Sequence, residues 1–179
     1  GDIWMKYLIF SDIHGAIDSV EFLLDKFNKG NFDSMICLGD VLYHGPRNGL
    51  PNNYAPKMVI EAINPYADKI LCIKGNCEAE VDQMVLKFKI LDSFDGTLND
   101  LKVHFEHGHH LDLYKGNDDL VLYGHTHIPA CEKKGSTMFI NPGSITIPKA
   151  SSKRGYAIWD EHTIVGYTID DEEVFRYSY

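Results

Sequence analysis

The sequence lacks the features of a membrane-spanning or strongly nucleic-acid-binding chain. No hydrophobic run approaches the ~18 residues needed to cross a membrane. Basic residues are few, since 17 Lys and Arg stand against 26 Asp and Glu and the net charge is −9. Nucleic-acid binding depends on neutralising phosphates with Lys and Arg, so no stable nucleic-acid partner and no membrane contact are expected.

Paired cysteine motifs are also lacking, and we expect no leader segment. The four cysteines include no Cys-x-x-Cys pair, and Cys37 and Cys72 lie in apolar runs, where a thiol behaves as a small buried hydrophobe. Met5 resembles a natural start without a signal peptide, so Gly1 is interpreted as an addition to the native chain. Free thiols fit a reducing compartment, and we expect a cytoplasmic protein.

What the sequence does contain is enough apolar material for one core. Its 179 residues are 44% hydrophobic and 12% aromatic. This length suits a single domain and is short for two, and the apolar content argues against disorder. We predict one domain spanning residues 1–179.

The first half of the chain alternates between strand and helix patterns. Apolar residues recur at helical spacing over residues 17–27, and a second helix is expected near residues 56–63. Asp18 and Glu21 are typical of a capping box, and Gly30 of a helix end. Short apolar runs of strand length lie at residues 5–10, 35–38 and 70–74. This β-α-β order predicts parallel strands, whose carboxyl ends are where such sheets bind ligands.

The second half is rich in short β-type segments separated by turn residues. No helix-length pattern follows Met84. We expect a second, largely antiparallel sheet, so that two packed sheets have helices on the outside. The segments are residues 102–106, 120–123, 138–140, 156–159, 163–169 and 173–177.

Polar residues that could bind metal follow the predicted strands. Carboxylate, imidazole and amide groups form a mixed N/O ligand set, which favours transition metals over Ca²⁺ or Mg²⁺. Seven such groups are too many for one tetrahedral ion and suit two ions ~3.5–4 Å apart that share a carboxylate. The seven residues are Asp12, His14, Asp40, Asn76, His107, His125 and His127.

Taken singly, these residues have simpler interpretations. Asp12 could cap a helix, His14 could be a polar neighbour, and Asp40 and Asn76 could belong to ordinary turns. His125 and His127 are more specific, because side chains at i and i+2 of an extended segment share one face. The order of all five motifs at strand ends favours the metal interpretation.

The motif set D-x-H, G-D, G-N-[HC]-[DE], H-G-H and G-H-x-H resembles the calcineurin-like metallophosphoesterase superfamily, and within it the bacterial YfcE-like phosphodiesterases. The similarity covers most of the chain. The segments that carry it are residues 11–15 (S-D-I-H-G), 39–48 (G-D-V-L-Y-H-G-P-R-N), 54–57 (Y-A-P-K), 75–78 (G-N-C-E), 81–84 (V-D-Q-M), 123–127 (Y-G-H-T-H) and 141–149 (N-P-G-S-I-T-I-P-K).

The resemblance implies a fold, a cofactor and a reaction. The fold would be α/β, a four-layer αββα sandwich of two mixed sheets flanked by helices. Two divalent transition-metal ions, with Mn²⁺ favoured and Fe, Zn, Ni and Co compatible, would supply a bridging hydroxide that hydrolyses small phosphodiesters. One ion would take Asp12, His14, Asp40 and His127. The other would take Asp40, Asn76, His107 and His125, with Asp40 bridging.

One position departs from the wider superfamily. Many members carry His after the Gly-Asn pair, where it contacts phosphate or protonates the leaving group, whereas this chain has Cys77. A neutral thiol with a pKa of ~8.5 is a weak proton donor without positive charge. This favours activated diesters over monoesters, unless Cys77 merely packs beneath the site.

Three residues are candidates for substrate contact, and His109 is a candidate for catalysis or support. Arg47 could bind phosphate through its planar guanidinium, or it could be an ordinary surface residue. His44 lies in the same loop, and Asn76 could contact substrate as well as metal. His109, two residues after a ligand, could support the site or act with Cys77 in catalysis. His104, His110 and His162 have no assigned role.

Other functions stay open at this point. A protein-interaction scaffold of the same fold, such as the retromer subunit, need not keep all seven ligands. A phosphomonoesterase or a nuclease is a further alternative, against which Cys77 and the low basic content count. The expected partner is a small phosphodiester, and self-association into a homo-oligomer is compatible with the sequence.

Overall fold

The computed structural model describes residues 4–179. Gly1, interpreted above as an addition, lies outside the described residues. Within the described part of the chain, no helix is long and apolar enough to cross a membrane.

Residues 4–179 form twelve strands. In chain order these are β1 Lys6–Phe10, β2 Ser34–Cys37, β3 Ile70–Ile73, β4 Ile90–Leu91, β5 Phe94–Leu98, β6 Leu101–Phe105, β7 Leu120–Leu122, β8 Ala130–Lys134, β9 Thr137–Asn141, β10 Gly155–Asp160, β11 Thr163–Thr168 and β12 Glu173–Ser178. They build a seven-stranded sheet in the order β12-β11-β10-β1-β2-β3-β4 and a five-stranded sheet in the order β5-β6-β7-β9-β8.

The prediction that all late strands join the second sheet is wrong. β10 pairs antiparallel with β1, with Tyr7 opposite Trp159 and Ile9 opposite Ala157, so β10, β11 and β12 extend the first sheet. The second sheet is mixed rather than largely antiparallel, because β7 runs parallel to both β6 and β9. Alternating hydrophobicity predicts which face of a strand is buried, but it does not identify the strand's partner.

The helices are α1 Ile17–Lys29, α2 Pro56–Ile63 and α3 Glu80–Val85, with 3₁₀ turns at Asn64–Lys69 and Leu111–Leu113. Pro56 occupies the first turn of α2, where its missing N–H costs no hydrogen bond. Gly30 ends α1 as predicted. The predicted capping box is wrong, because the residue at the N-cap is Ala16, which offers no side-chain acceptor, and Asp18 lies inside the helix.

Two hydrophobic cores hold the layers together. Successive residues of β1 point to opposite faces, so Leu8 and Phe10 pack toward the helices while Tyr7 and Ile9 pack toward the second sheet. The predicted architecture of two packed sheets flanked by helices is confirmed. Over the five-stranded sheet, the helical layer reduces to the turn at Leu111–Leu113, next to which the Tyr114 ring contacts Phe139.

Candidate metal centre

The loops after five strands meet at one edge of the two packed sheets. β1, β2 and β3 are parallel neighbours, so the loops that follow them place Asp12, His14, Asp40 and Asn76 side by side. The loops after β6 and β7 bring in the three histidines of the second sheet. Backbone hydrogen bonds join the loops directly, from Asp12 N to Gly39 O at 3.0 Å and from His14 N to Asp40 O at 2.9 Å.

Five of the seven predicted ligands have left-handed backbone conformations. Their φ angles lie between 50° and 70°, a region that non-glycine residues seldom occupy. Each such residue costs of order 1 kcal/mol or more and persists only where the surroundings fix it, which is typical of functional sites. The five residues are Asp12, His14, Asp40, His125 and His127.

Two motif glycines are needed because other groups approach them closely. A Cβ atom on Gly75 would collide with the Asp40 carboxylate, and one on Gly124 would collide with the Ser11 hydroxyl. Any larger residue at either position would therefore displace a side chain of the centre. The Ser11 hydroxyl in turn donates a hydrogen bond of 2.6 Å to Asp12 Oδ2.

Asp12 is the most deeply buried acid of the centre. Its side chain is fully buried, and Oδ2 accepts hydrogen bonds from the Ser11 hydroxyl and the His125 N–H. Oδ1 is buried without a hydrogen-bond partner among the described residues. Burial opposes ionisation, yet the adjacent His127 and His14 hold the pKa of Asp12 well below its usual range. A buried, ionised carboxylate oxygen without a hydrogen-bond donor is costly unless a cation neutralises it, so Asp12 Oδ1 is a candidate metal ligand. Asp12 does not cap α1.

His14 and His127 direct their free nitrogens at the same point. Each ring places its Nδ1 against a backbone carbonyl, at 2.8 Å from Tyr43 O for His14 and 2.6 Å from Ile147 O for His127. In the neutral tautomer that this favours, both Nε2 atoms carry lone pairs, and they lie only 3.2 Å apart. Asp12 Oδ1 lies 3.4 Å from one and 3.2 Å from the other. Three acceptors converging in this way fit a metal ion.

His107, Asp40 and Asn76 form a second group beside the first. His107 Nδ1 lies 2.6 Å from Leu38 O, while its Nε2 lies 2.9 Å from Asn76 Oδ1 and 3.1 Å from Asp40 Oδ2. Asp40 Oδ2 is also 3.7 Å from His14 Nε2, so this carboxylate lies between the two groups. His125 Nδ1 approaches the same Asn76 oxygen at 3.0 Å.

Asp40 and Asp12 keep His107 charged when no metal is bound. Burial disfavours the imidazolium, but contact with Asp40 and the field of Asp12 raise the pKa of His107 to about 9. Burial likewise opposes ionisation of Asp40, whose pKa is nevertheless lowered, first by His107. The described residues thus fit divalent ions at two overlapping positions, because nitrogen and oxygen donors converge with two buried negative charges to be neutralised.

Cys77 lies at the entrance of this centre. Its backbone N–H donates to Asp40 Oδ1 at 2.8 Å. Burial, and then the carboxylates of Asp40 and Glu78, raise the pKa of the Cys77 thiol to about 12. The thiol is therefore protonated and neutral near pH 7, as the sequence argument assumed.

Glu78 joins two loops of the centre, and the sequence analysis assigned it no role. Its carboxylate accepts hydrogen bonds from Asp40 N (3.0 Å), Val41 N (2.8 Å) and Gly75 N (2.8 Å). It therefore ties the loop after β2 to the loop after β3. Burial and the charge of Asp40 raise the pKa of Glu78 to about 7. Its position directly after Cys77 in the G-N-C-E motif was the available signal.

A small cleft above the centre is lined by Arg47, Cys77 and Lys149, together with metal-binding candidates. Lys149 was quoted within a family-like segment but given no role. Because Lys149 and Arg47 both line the cleft, it has two cationic side chains. His44 is absent from the lining that the described residues form, and its ring packs edge-on against Tyr54, with centroids 5.5 Å apart.

His109 lies at the border of the centre and is exposed. Its ring centroid is 5.5 Å from that of His107 and 5.9 Å from that of His125. Burial, followed by the neighbouring His107 and His110, lowers the pKa of His109. A neutral imidazole beside the ligands is compatible with a supporting role, and it also borders a larger groove described below.

This fold, with carboxylates, imidazoles and an amide gathered at the shared edge of its sheets, defines a metallophosphoesterase. A family model described as the calcineurin-like phosphoesterase superfamily domain matches residues 5–163. The chain belongs to that superfamily.

Individual relatives agree with this assignment. Phosphodiesterase YfcE of Escherichia coli K12 is 39% identical over 176 residues, which cover 95% of each chain. The solved structure of the E. coli YfcE phosphoesterase matches with a TM-score of 0.91 and 35% identity, covering 97% of this chain and 99% of that one. Phosphodiesterase MJ0936 of Methanocaldococcus jannaschii is 27% identical over 78% of this chain and 83% of its own.

More distant structures share the fold alone. A Vps29 variant from Entamoeba histolytica matches with a TM-score of 0.66 at 19% identity, covering 98% of this chain and 99% of that one. At that identity the match carries no argument about function, so the scaffold alternative receives no support from it.

Proposed function

We propose that this protein is a phosphodiesterase that uses two divalent transition-metal ions to hydrolyse small phosphodiesters. The observation that carries the proposal is the convergence of His14 Nε2, His127 Nε2 and the unpartnered Asp12 Oδ1 at one buried point. Relatives named phosphodiesterases at 39% and 27% identity support the reaction type.

The ligands divide into two sets that share Asp40. One ion would be held by Asp12, His14, Asp40 and His127. The other would be held by Asp40, Asn76, His107 and His125. The distances of Asp40 Oδ2 from His107 Nε2 (3.1 Å) and His14 Nε2 (3.7 Å) support the shared carboxylate.

The chain's own residues prepare the cleft for a phosphate. When bound, two divalent ions lower the pKa of a water molecule toward neutrality and offset charge on the phosphoryl oxygens. Arg47 and Lys149 add positive charge at the cleft, where they would hold and orient the anionic diester. The mixed set of imidazole, carboxylate and amide donors suits a divalent transition metal; its oxygen donors fit Mn²⁺, and Fe, Zn, Ni and Co are compatible with its imidazoles.

Cys77 favours diesters over monoesters. A thiol with a pKa of about 12 neither donates a proton readily to a leaving alcohol nor neutralises the extra charge of a monoester. Hydrolysis would then depend on the leaving group's own acidity. Activated aryl diesters are the substrates expected to react fastest.

The experiment compares bis(p-nitrophenyl) phosphate with p-nitrophenyl phosphate after loading with Mn²⁺. We expect metal-dependent turnover with a clear preference for the diester, abolished by a chelator. His127→Asn should lose activity, whereas the exposed His162→Gln, which lies far from the centre, should keep it. A preference for the monoester of tenfold or more, about 1.4 kcal/mol in transition-state free energy, would refute the diesterase assignment.

A further inference from the structure

A second, larger cavity adjoins the metal centre on the outer face of the five-stranded sheet. It has a volume of about 460 Å³ and reaches from His107 and His109 to Tyr114 and Asp118. We call it the side groove. His104 points to this outer face, because its neighbours Val103 and Phe105 are buried between the sheets. The side groove therefore begins at a metal-ligand candidate and extends away from the small cleft.

His104 forms a fixed wall of the side groove. Its Nδ1 lies 2.9 Å from Asp95 Oδ1 and its Nε2 lies 2.8 Å from Glu106 Oε2. The ring stacks on Tyr114 with centroids 4.9 Å apart and an angle of 26°. Both ring nitrogens are used, so the wall is held in one orientation. Its polar groups already satisfy one another, unlike Asp12 Oδ1 in the metal centre.

Tyr114 is held as firmly as His104. Its hydroxyl donates to Asp118 Oδ2 at 2.6 Å and accepts from the Asp118 N–H at 3.1 Å. Its ring lies nearly perpendicular to that of Phe139, with centroids 5.9 Å apart, and Asp118 is buried. The exposed Leu113 continues the apolar surface beside the ring. The side groove thus combines an aromatic surface with oxygen acceptors before any ligand arrives.

The charges of the side groove select against a second phosphate. Four carboxylates line it, and they are offset in part by Lys115 and by the protonated forms of His104 and His107. Burial opposes the charged form of His104, but its contacts with Glu106 and Asp95 raise its pKa. An anion meets a net excess of carboxylates, whereas hydroxyl groups find free acceptor lone pairs. An aromatic face beside oxygen acceptors also suits the carbon face of a polyol. The four carboxylates are Asp92, Asp95, Glu106 and Asp118.

Resting on the proposed function, we propose that the side groove binds one of the two alcohol groups of the phosphodiester, and that this alcohol is a neutral polyol such as glycerol or a sugar. The phosphate would occupy the metal centre while the polyol extends past His109 to the Tyr114 surface. Diesters whose second alcohol carries a further phosphate are excluded by the same acids.

The first test compares p-nitrophenyl phosphodiesters that differ only in their second alcohol: glycerol, methanol, choline or glycerol phosphate. We expect kcat/KM for the glycerol ester to exceed that of the methyl ester by about tenfold or more, with the glycerol phosphate ester slowest. Tyr114→Ala should bring the glycerol-to-methyl ratio of kcat/KM close to one. Tyr66→Ala, which removes a partly buried tyrosine packed on Phe27, should leave the ratio unchanged. A wild-type ratio near one, or a choline ester that exceeds the glycerol ester, overturns the proposal.

The second test uses the wild-type protein and measures binding, so it depends neither on turnover nor on the folding of a variant. Methyl α-D-glucopyranoside, choline chloride and inorganic phosphate are titrated into the isotopically labelled protein, and amide NMR signals are followed. The glycoside should shift Gly108 and Gly116, which line the side groove. Choline should shift neither glycine, and phosphate should not shift Gly116, which lies against Tyr114 rather than next to a ligand candidate. No shift at these glycines overturns the side-groove proposal even if diesters are hydrolysed. Shifts without hydrolysis of any ester would instead refute the proposed function and leave the binding groove in place.

Discussion

Metal affinity should rise steeply with pH because of one histidine. A ligand nitrogen must be deprotonated to bind a metal ion, and His107 has a pKa of about 9 in the metal-free protein. pH 7 is two units below this pKa, so His107 is almost fully protonated there and the metal must displace its proton. The apparent affinity at pH 7 should be roughly 100-fold lower than the limit reached above pH 9, about 2.7 kcal/mol.

The sign follows from the competition between proton and metal. Below pH 9 each unit of decrease should weaken binding about tenfold, because His107 gains its proton more often. His14 adds to the effect in the same direction, since Asp12 and Asp40 outweigh burial and raise its pKa. Binding near pH 7 should release at least one proton for each protein molecule that is fully loaded.

Calorimetric titration of the metal-free protein with Mn²⁺ measures both quantities. Titrations between about pH 6.5 and about 8 give the slope, and two buffers of different ionisation enthalpy give the number of protons released. His162→Gln, an exposed histidine remote from the centre, should show the same slope. An affinity that is constant over this range would refute the reasoning, as would an NMR titration placing the pKa of His107 at or below 6.5.

Three further substitutions test individual residues. Cys77→His should raise the rate of monoester hydrolysis, most for poor leaving groups, because it supplies a proton donor with a pKa of ~6.5. An unchanged monoester rate in this variant would contradict the prediction. So would the loss of activated-diester hydrolysis in Cys77→Ala while both metals stay bound. Glu78→Gln should lower the free energy of unfolding by about 1–3 kcal/mol, because an amide N–H₂ would face a backbone N–H, whereas the exposed Glu80→Gln should be neutral in thermal unfolding. Arg47→Ala should raise KM for diesters more than it lowers kcat, because Arg47 lines the cleft. Steady-state kinetics with an unchanged KM would refute a role of Arg47 in substrate binding.

The sequence was most informative where pattern and topology coincide. The order of strands and helices through residue 73 follows from hydrophobic periodicity, and parallel strands bring the following loops to one edge. Asp12, Asp40 and Asn76 were therefore expected near one another, and the structure places them so. The G-H-T-H segment gave His125 and His127 a shared direction, which their left-handed conformations achieve without an extended strand.

Other features depend on contacts that a single sequence does not encode locally. The pairing of β10 with β1 is a choice among partners with similar apolar faces, so periodicity could not identify it. Glu78 belongs to the G-N-C-E motif, but the motif does not show that its carboxylate accepts hydrogen bonds from backbone N–H groups of two loops. His44 was predicted to contact substrate because its loop follows Asp40, and its packing against Tyr54 is a contact that the sequence did not indicate. The side groove depends on the stacking of the His104 ring on that of Tyr114, which lies ten residues further along the chain, and no local pattern predicts this contact.

The most direct test of the central claim is the metal content of the wild-type protein and Asp40→Asn after identical Mn²⁺ loading and desalting. Asn tolerates the left-handed conformation at this position (φ 57°), so the substitution removes mainly the charge shared by the two ligand sets. The exposed Asp100→Asn, also left-handed at φ 67°, is the matched control. We predict two metal equivalents in the wild type and the control, and at most one in Asp40→Asn, with nearly all diester turnover lost. Two equivalents and a normal rate in Asp40→Asn would contradict a dinuclear centre bridged by Asp40.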